Sequence, residues 1–187
     1  MARLLSLLPL LLLLFTSCGD KDDPVIENEE EVITDLVYVL TPVDNGETVT
    51  FRFSDPDGDG PEMATTDITG DLMANTSYLG TLSLTNASDP SDPEDITAEI
   101  SAEDEDHQFF FVPSGGLDVT VAYADSDNDG NPVGLLTEME TGAVSSGGLQ
   151  IILRHEPNKA AGATISDPTG AGGETDIAVT FPVSVGN

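Results

Sequence analysis

From Val32 onward the chain alternates apolar and polar residues in short runs, with no sustained recurrence every third or fourth position. Val49, Phe51 and Phe53 alternate with Thr48, Thr50 and Arg52, which gives that run one apolar face and one wet face. Residues 32–40 and 47–54 flank Asp44-Asn45-Gly46, and Asn-Gly is a strong hairpin-turn signal. Further strand candidates are residues 77–85, 96–100, 108–112, 117–124, 134–140, 149–155 and 176–185. Residues 96–100 also read as one helical turn capped by Asp95 or Asp92. Clusters of Gly, Pro, Asn, Asp and Ser separate these runs. The pattern predicts an all-β fold, an immunoglobulin-like β-sandwich of about seven to nine strands, with a small barrel as the alternative. Residues 32–187 form one such domain, without internal boundary or repeat.

The first residues follow a different rule. Arg3 precedes an apolar run over residues 4–15, about a dozen residues, which matches the core of a secretory signal. A membrane span needs roughly 20. Thr16 and Ser17, both small, then precede Cys18, the chain's single cysteine. The arrangement resembles the bacterial lipobox, with Phe15 where leucine is usual. Residues 1–17 are therefore expected to be a lipoprotein signal peptide and Cys18 the acylated residue. An ordinary secretory signal cleaved after Ser17 is the alternative. Two or more fatty chains on Cys18 would hold the membrane stably. Residues 18–31 are acidic with little to bury, and are expected to form a disordered tether. Lys21-Asp22-Asp23 resembles the signal that sends some Bacteroidetes lipoproteins to the cell surface. The expected location is the outer membrane, lipid-anchored, on the cell surface or the periplasmic face.

Charge narrows the partners. The chain carries 35 acidic residues against five Lys and Arg, a formal net charge of −30. Every acid lies beyond Cys18, where the cations are Lys21, Arg52, Arg154 and Lys159. Nucleic acid and anionic lipid headgroups are excluded as electrostatic partners. Cations, or a protein with a basic face, fit. The same acidity also suits a surface that stays hydrated at high salt, where self-repulsion is screened. With Cys18 acylated, no thiol remains for a disulfide.

Two constellations carry candidate chemistry. Asp55, Asp57 and Asp59 before Gly60, and Asp125, Asp127 and Asp129 before Gly130, repeat one D-x-D-x-D-G pattern able to wrap oxygens around Ca²⁺. The twelfth positions hold Thr66 and Leu136 instead of a bidentate acid, so neither is an EF-hand. Ordinary acidic turns are the competing explanation. The second constellation is the pair of histidines. His107 begins a strand candidate and His155 ends one, so antiparallel pairing would bring them to one edge. With the adjacent Asp106 and Glu156 they would suit Zn²⁺ or another divalent transition metal. Two unrelated strand-end histidines are the alternative. No nucleophile elbow or phosphate-cradling loop is present, and the chain is not expected to be an enzyme.

Residues 54–60, 106–111, 153–159 and 172–182 together resemble a family of small Bacteroidetes lipoproteins often labelled "type 1 periplasmic binding fold superfamily protein". The resemblance spans nearly the whole chain from about Glu29, and both histidines fall inside it. It points toward TonB-dependent outer-membrane uptake. The label's α/β two-lobed architecture is at odds with the strand-and-turn pattern, and the sandwich remains the expected fold. The functional expectation is a lipid-anchored envelope protein that binds a divalent metal or assists uptake with a transporter or other envelope protein. A structural or interaction lipoprotein with no small ligand is the alternative.

Overall fold

The computed structural model describes residues 31–58 and 61–187. The expected signal peptide, Cys18, Lys21, the expected tether up to residue 30, and Asp59 lie outside the described residues. Among the described residues no helix is long and apolar enough to cross a membrane.

The protein is an all-β sandwich. In chain order its first strands are β1 (Asp35–Pro42), β2 (Val49–Ser54), β3 (Thr65–Thr69), β4 (Leu72–Met73) and β5 (Ser77–Thr85). After helix α1 (Ile96–Ala102) follow β6 (His107–Ser114), β7 (Val119–Tyr123), β8 (Leu136–Thr141), β9 (Ser145–His155) and β10 (Glu174–Gly186). One sheet runs β3-β2-β1-β5-β8-β7 and the other β4-β10-β9-β6. The short β4 lies parallel to β10, and the other pairings are antiparallel.

Period-two burial builds the core between the sheets. Leu36, Tyr38 and Leu40 on β1 face Phe109 and Phe111 on β6 and Val179, Phe181 and Val183 on β10. Aromatic contacts join the layers: Tyr38 to Phe111 and Phe51 to Phe181, each with ring centroids 5.3 Å apart. The free edge of β6 is covered, since Phe109 N–H donates to the Val133 carbonyl and Phe111 N–H to that of Ile165.

The expected runs become strands except residues 96–100, which take the helical alternative. Asp95 caps that helix through the Ala98 N–H at 3.2 Å, and Ile96 and Ile100, one turn apart, are both buried. The periodicity did not reveal β3 and β4. Four of the five β3 residues are exposed, and β4 spans two residues, so neither presents an apolar alternation.

Gly80 occupies an inward position on β5 that only a residue without a side chain can fill. The buried Tyr38 hydroxyl bonds Thr137 Oγ1 at 2.7 Å across it. A Cβ there would collide with Thr137 Oγ1 and lie 2.5 Å from the Tyr38 hydroxyl. Gly80→Ala should therefore destabilise the fold by about 2–3 kcal/mol, read as a lower denaturant midpoint with unchanged slope. A loss within experimental error would contradict this packing.

Candidate metal centre

Strand register brings the two histidines together. β6 and β9 run antiparallel with His107 directly opposite His155. Their ring centroids lie 4.5 Å apart, with the planes tilted by 34°. His107 shares parity with Phe109 and Phe111, and His155 with Leu153 and Ile151, all core residues. The imidazoles therefore close one end of the inter-sheet core, and both are buried.

Asp176 reaches the same place through a β-bulge. β10 pairs Thr175 with Arg154 and Ile177 with Leu153, which leaves Asp176 as the extra residue. Strict alternation from Ile177 would put Asp176 on the solvent side with Ala178 and Thr180. A bulge re-aims the side chain. Asp176 has 0% side-chain exposure, and its Oδ1 lies 3.8 Å from His155 Nδ1. Among the described residues no donor reaches either Asp176 carboxylate oxygen, and His155 Nδ1 has no hydrogen-bond partner.

Glu31 arrives from the N-terminal side. Thr34 bolts this segment down: its N–H donates to the Thr85 carbonyl at 3.0 Å, and its own carbonyl accepts from Asp55 N–H. Its hydroxyl also accepts from Ala87 N–H at 2.8 Å. Glu31 Oε1 then lies 3.0 Å from His107 Nε2. The other ring nitrogen of His107, Nδ1, is 3.0 Å from the carbonyl of Glu103, the residue that closes α1. The helix end thus favours the N–H at Nδ1 and turns Nε2 toward the centre, the usual second-layer support of a metal-binding imidazole.

Glu31, His107, His155 and Asp176 each offer one ligand atom, and these atoms all lie within 4.8 Å of one another. The four groups shift one another's proton affinities. Burial pushes the Asp176 carboxyl up to about 6, and the Glu31 carboxylate adds to the rise against the opposing pull of both histidines. For Glu31, burial is outweighed by the hydrogen bond and charge of His107, the charge of His155 and a hydrogen bond with Asp176, which hold it below the usual carboxylate range. Burial likewise works against the charged form of His107, but the hydrogen bonds to Glu31 and to the Glu103 carbonyl raise it above the ordinary imidazole value.

The other candidate residues lie elsewhere. Asp106 and Glu156 are exposed, and they meet through the backbone, Glu156 N–H donating to the Asp106 carbonyl at 2.7 Å. That bond extends the β6–β9 ladder past the histidines and leaves both carboxylates outside the group. In the second acidic loop, Asp125 accepts from the N–H groups of Gly134 and Leu136. Asp127 accepts from the N–H groups of Asp129 and Asn131 and pairs with the buried ammonium of Lys159 at 3.0 Å. An ammonium from the chain itself sits where a loop cation would. In the first loop, Asp57 accepts from Glu62 N–H at 3.0 Å, and Asp59 lies outside the described residues. Asp129 is exposed.

The chain matches no family model, no curated protein and no solved structure. The site must be read on its own geometry.

Asp176 and His107 bind protons more tightly in the folded, metal-free protein than unfolded. Their contributions to stability are present at low pH and lost as pH rises, for Asp176 between about 4 and 6 and for His107 above its ordinary value. In chelator, wild-type stability should fall between pH 4 and 7 by on the order of 2 kcal/mol more than that of Asp176→Asn. Asp176→Asn should also be the more stable of the two at pH 8. Parallel melting curves for the two proteins would contradict the assignment.

Proposed function

We propose that this protein is a lipid-anchored component of the cell envelope whose sandwich binds one divalent transition metal through Glu31, His107, His155 and Asp176. Asp176 carries the reading. An ionised carboxylate buried with no N–H donor is costly, and a bound cation would remove that cost. Two imidazoles and two carboxylates suit zinc in tetrahedral coordination. With no thiolate or thioether, the set disfavours Cu(I), and four buried ligands are too few and too nitrogen-rich for calcium.

Four ligands leave no open position, so the centre is a binding or structural site and not a hydrolytic one. The signal-like N-terminus and the Lys21-Asp22-Asp23 stretch support an outer-membrane lipoprotein. The resemblance noted above makes an uptake system the natural neighbour. A metal-free interaction lipoprotein is the competing reading, favoured by the Lys159 ammonium that already fills the second acidic loop.

Calorimetry with Zn²⁺ and Ca²⁺ on the purified chain separates the two. The metal reading expects one zinc per chain, with His107→Ala and His155→Ala each weakening it by about a hundredfold or more, and no calcium at this centre. Absence of zinc binding, or binding untouched by both substitutions, would overturn it.

A further inference from the structure

Three of the four ligand groups belong to one sheet. His107, His155 and Asp176 lie on the adjacent strands β6, β9 and β10, and their relative positions are set by the ladder itself. Glu31 is different. It belongs to no strand, and it reaches the centre from the residues that precede β1. Its side chain meets the other sheet at this end of the sandwich, through His107 and Asp176. β1 itself belongs to the six-stranded sheet, and the Thr34 bonds also run within that layer, to Thr85, Ala87 and Asp55. Glu31 is thus a link from the N-terminal segment across to the four-stranded sheet.

We infer that a metal at this centre acts as a clasp, fastening the chain's N-terminal segment to the ends of β6, β9 and β10. The inference rests on the metal-binding reading above. Without metal, Glu31 docks by its contact with the His107 imidazole and by a carboxyl–carboxyl hydrogen bond with Asp176 when the latter holds its proton. In that state Glu31 is joined to the four-stranded sheet by side-chain contacts alone. A divalent cation replaces these contacts with ligand bonds and ties Glu31 to three strands at once. The chemistry needs no change in fold, only occupancy.

With the ion bound, the residues before β1 are held at Glu31 as well as at the buried Ile33 and the Thr34 hydrogen bonds. Without it, Ile33 and Thr34 hold the segment and Glu31 keeps only its side-chain contacts.

Hydrogen exchange on the full purified chain, in zinc and in chelator, tests the clasp. Zinc should slow exchange of the amides at Val32 and Ile33 by about tenfold or more, together with those at the ends of β6 and β9. Glu31→Ala should still take zinc through the remaining groups at higher concentration and protect the strand ends, but should leave Val32 and Ile33 as fast as in chelator. Zinc that protects the strand ends of the wild type without slowing Val32 and Ile33 would overturn the clasp and leave the metal site standing. Protection of the segment that survives Glu31→Ala would do the same. A wild type that binds no zinc would sink both.

Discussion

Side-chain parity in the β6–β9 ladder is the constraint on which core and site both depend. His107, Phe109 and Phe111 point the same way because strand residues alternate, and His155, Leu153 and Ile151 face them in register. Slipping one strand by a single residue would send the aromatic rings to solvent and part the imidazoles together. The hydrophobic energy that holds Phe109 and Phe111 in the core, on the order of 2–3 kcal/mol each, therefore also holds the histidines in place. The site is positioned by packing, and the polar groups have only to complete it.

The bulge at Asp176 and the capped helix add what the ladder cannot. An uninterrupted β10 would leave the centre with one carboxylate and two imidazoles. The extra residue supplies the second acid from a strand that is otherwise a regular alternation. The short helix, held by Ile96 and Ile100, delivers the Glu103 carbonyl to His107 Nδ1. The bulge spends stability on the arrangement. A buried ionised carboxylate with no N–H donor lowers the stability of the metal-free fold, an expense characteristic of functional positions.

Much of this was legible in the sequence, for physical reasons that can be named. Alternation such as Val49, Phe51 and Phe53 signals a half-buried strand, and the two-layer fold follows from several such runs. The meeting of His107 and His155 was readable because strand ends and starts adjoin in antiparallel pairs. Their acidic partners were not. Asp106 and Glu156 each adjoin a histidine in sequence, but consecutive residues of an extended chain point to opposite faces, and sequence adjacency is a poor guide to shared ligation. Asp176 was hidden because a bulge breaks the parity that alternation assumes. Glu31 was hidden among the acids around it, where no single carboxylate stands out. The acidic loops show the reverse: the spacing of Asp125, Asp127 and Asp129 suggested calcium, yet the fold uses Asp125 and Asp127 to cap backbone amides and to hold Lys159. Chain-distant donors such as Lys159 are invisible to local pattern.

The claim at the centre of this account is that two imidazoles and two carboxylates share one ion. X-ray absorption at the zinc edge, on protein loaded with one equivalent, measures that shell directly. The account predicts four nitrogen or oxygen neighbours at about 2.0–2.1 Å, with the outer-shell scattering of two imidazole rings and no sulfur. A six-oxygen shell of water and surface carboxylate, without imidazole scattering, would contradict it.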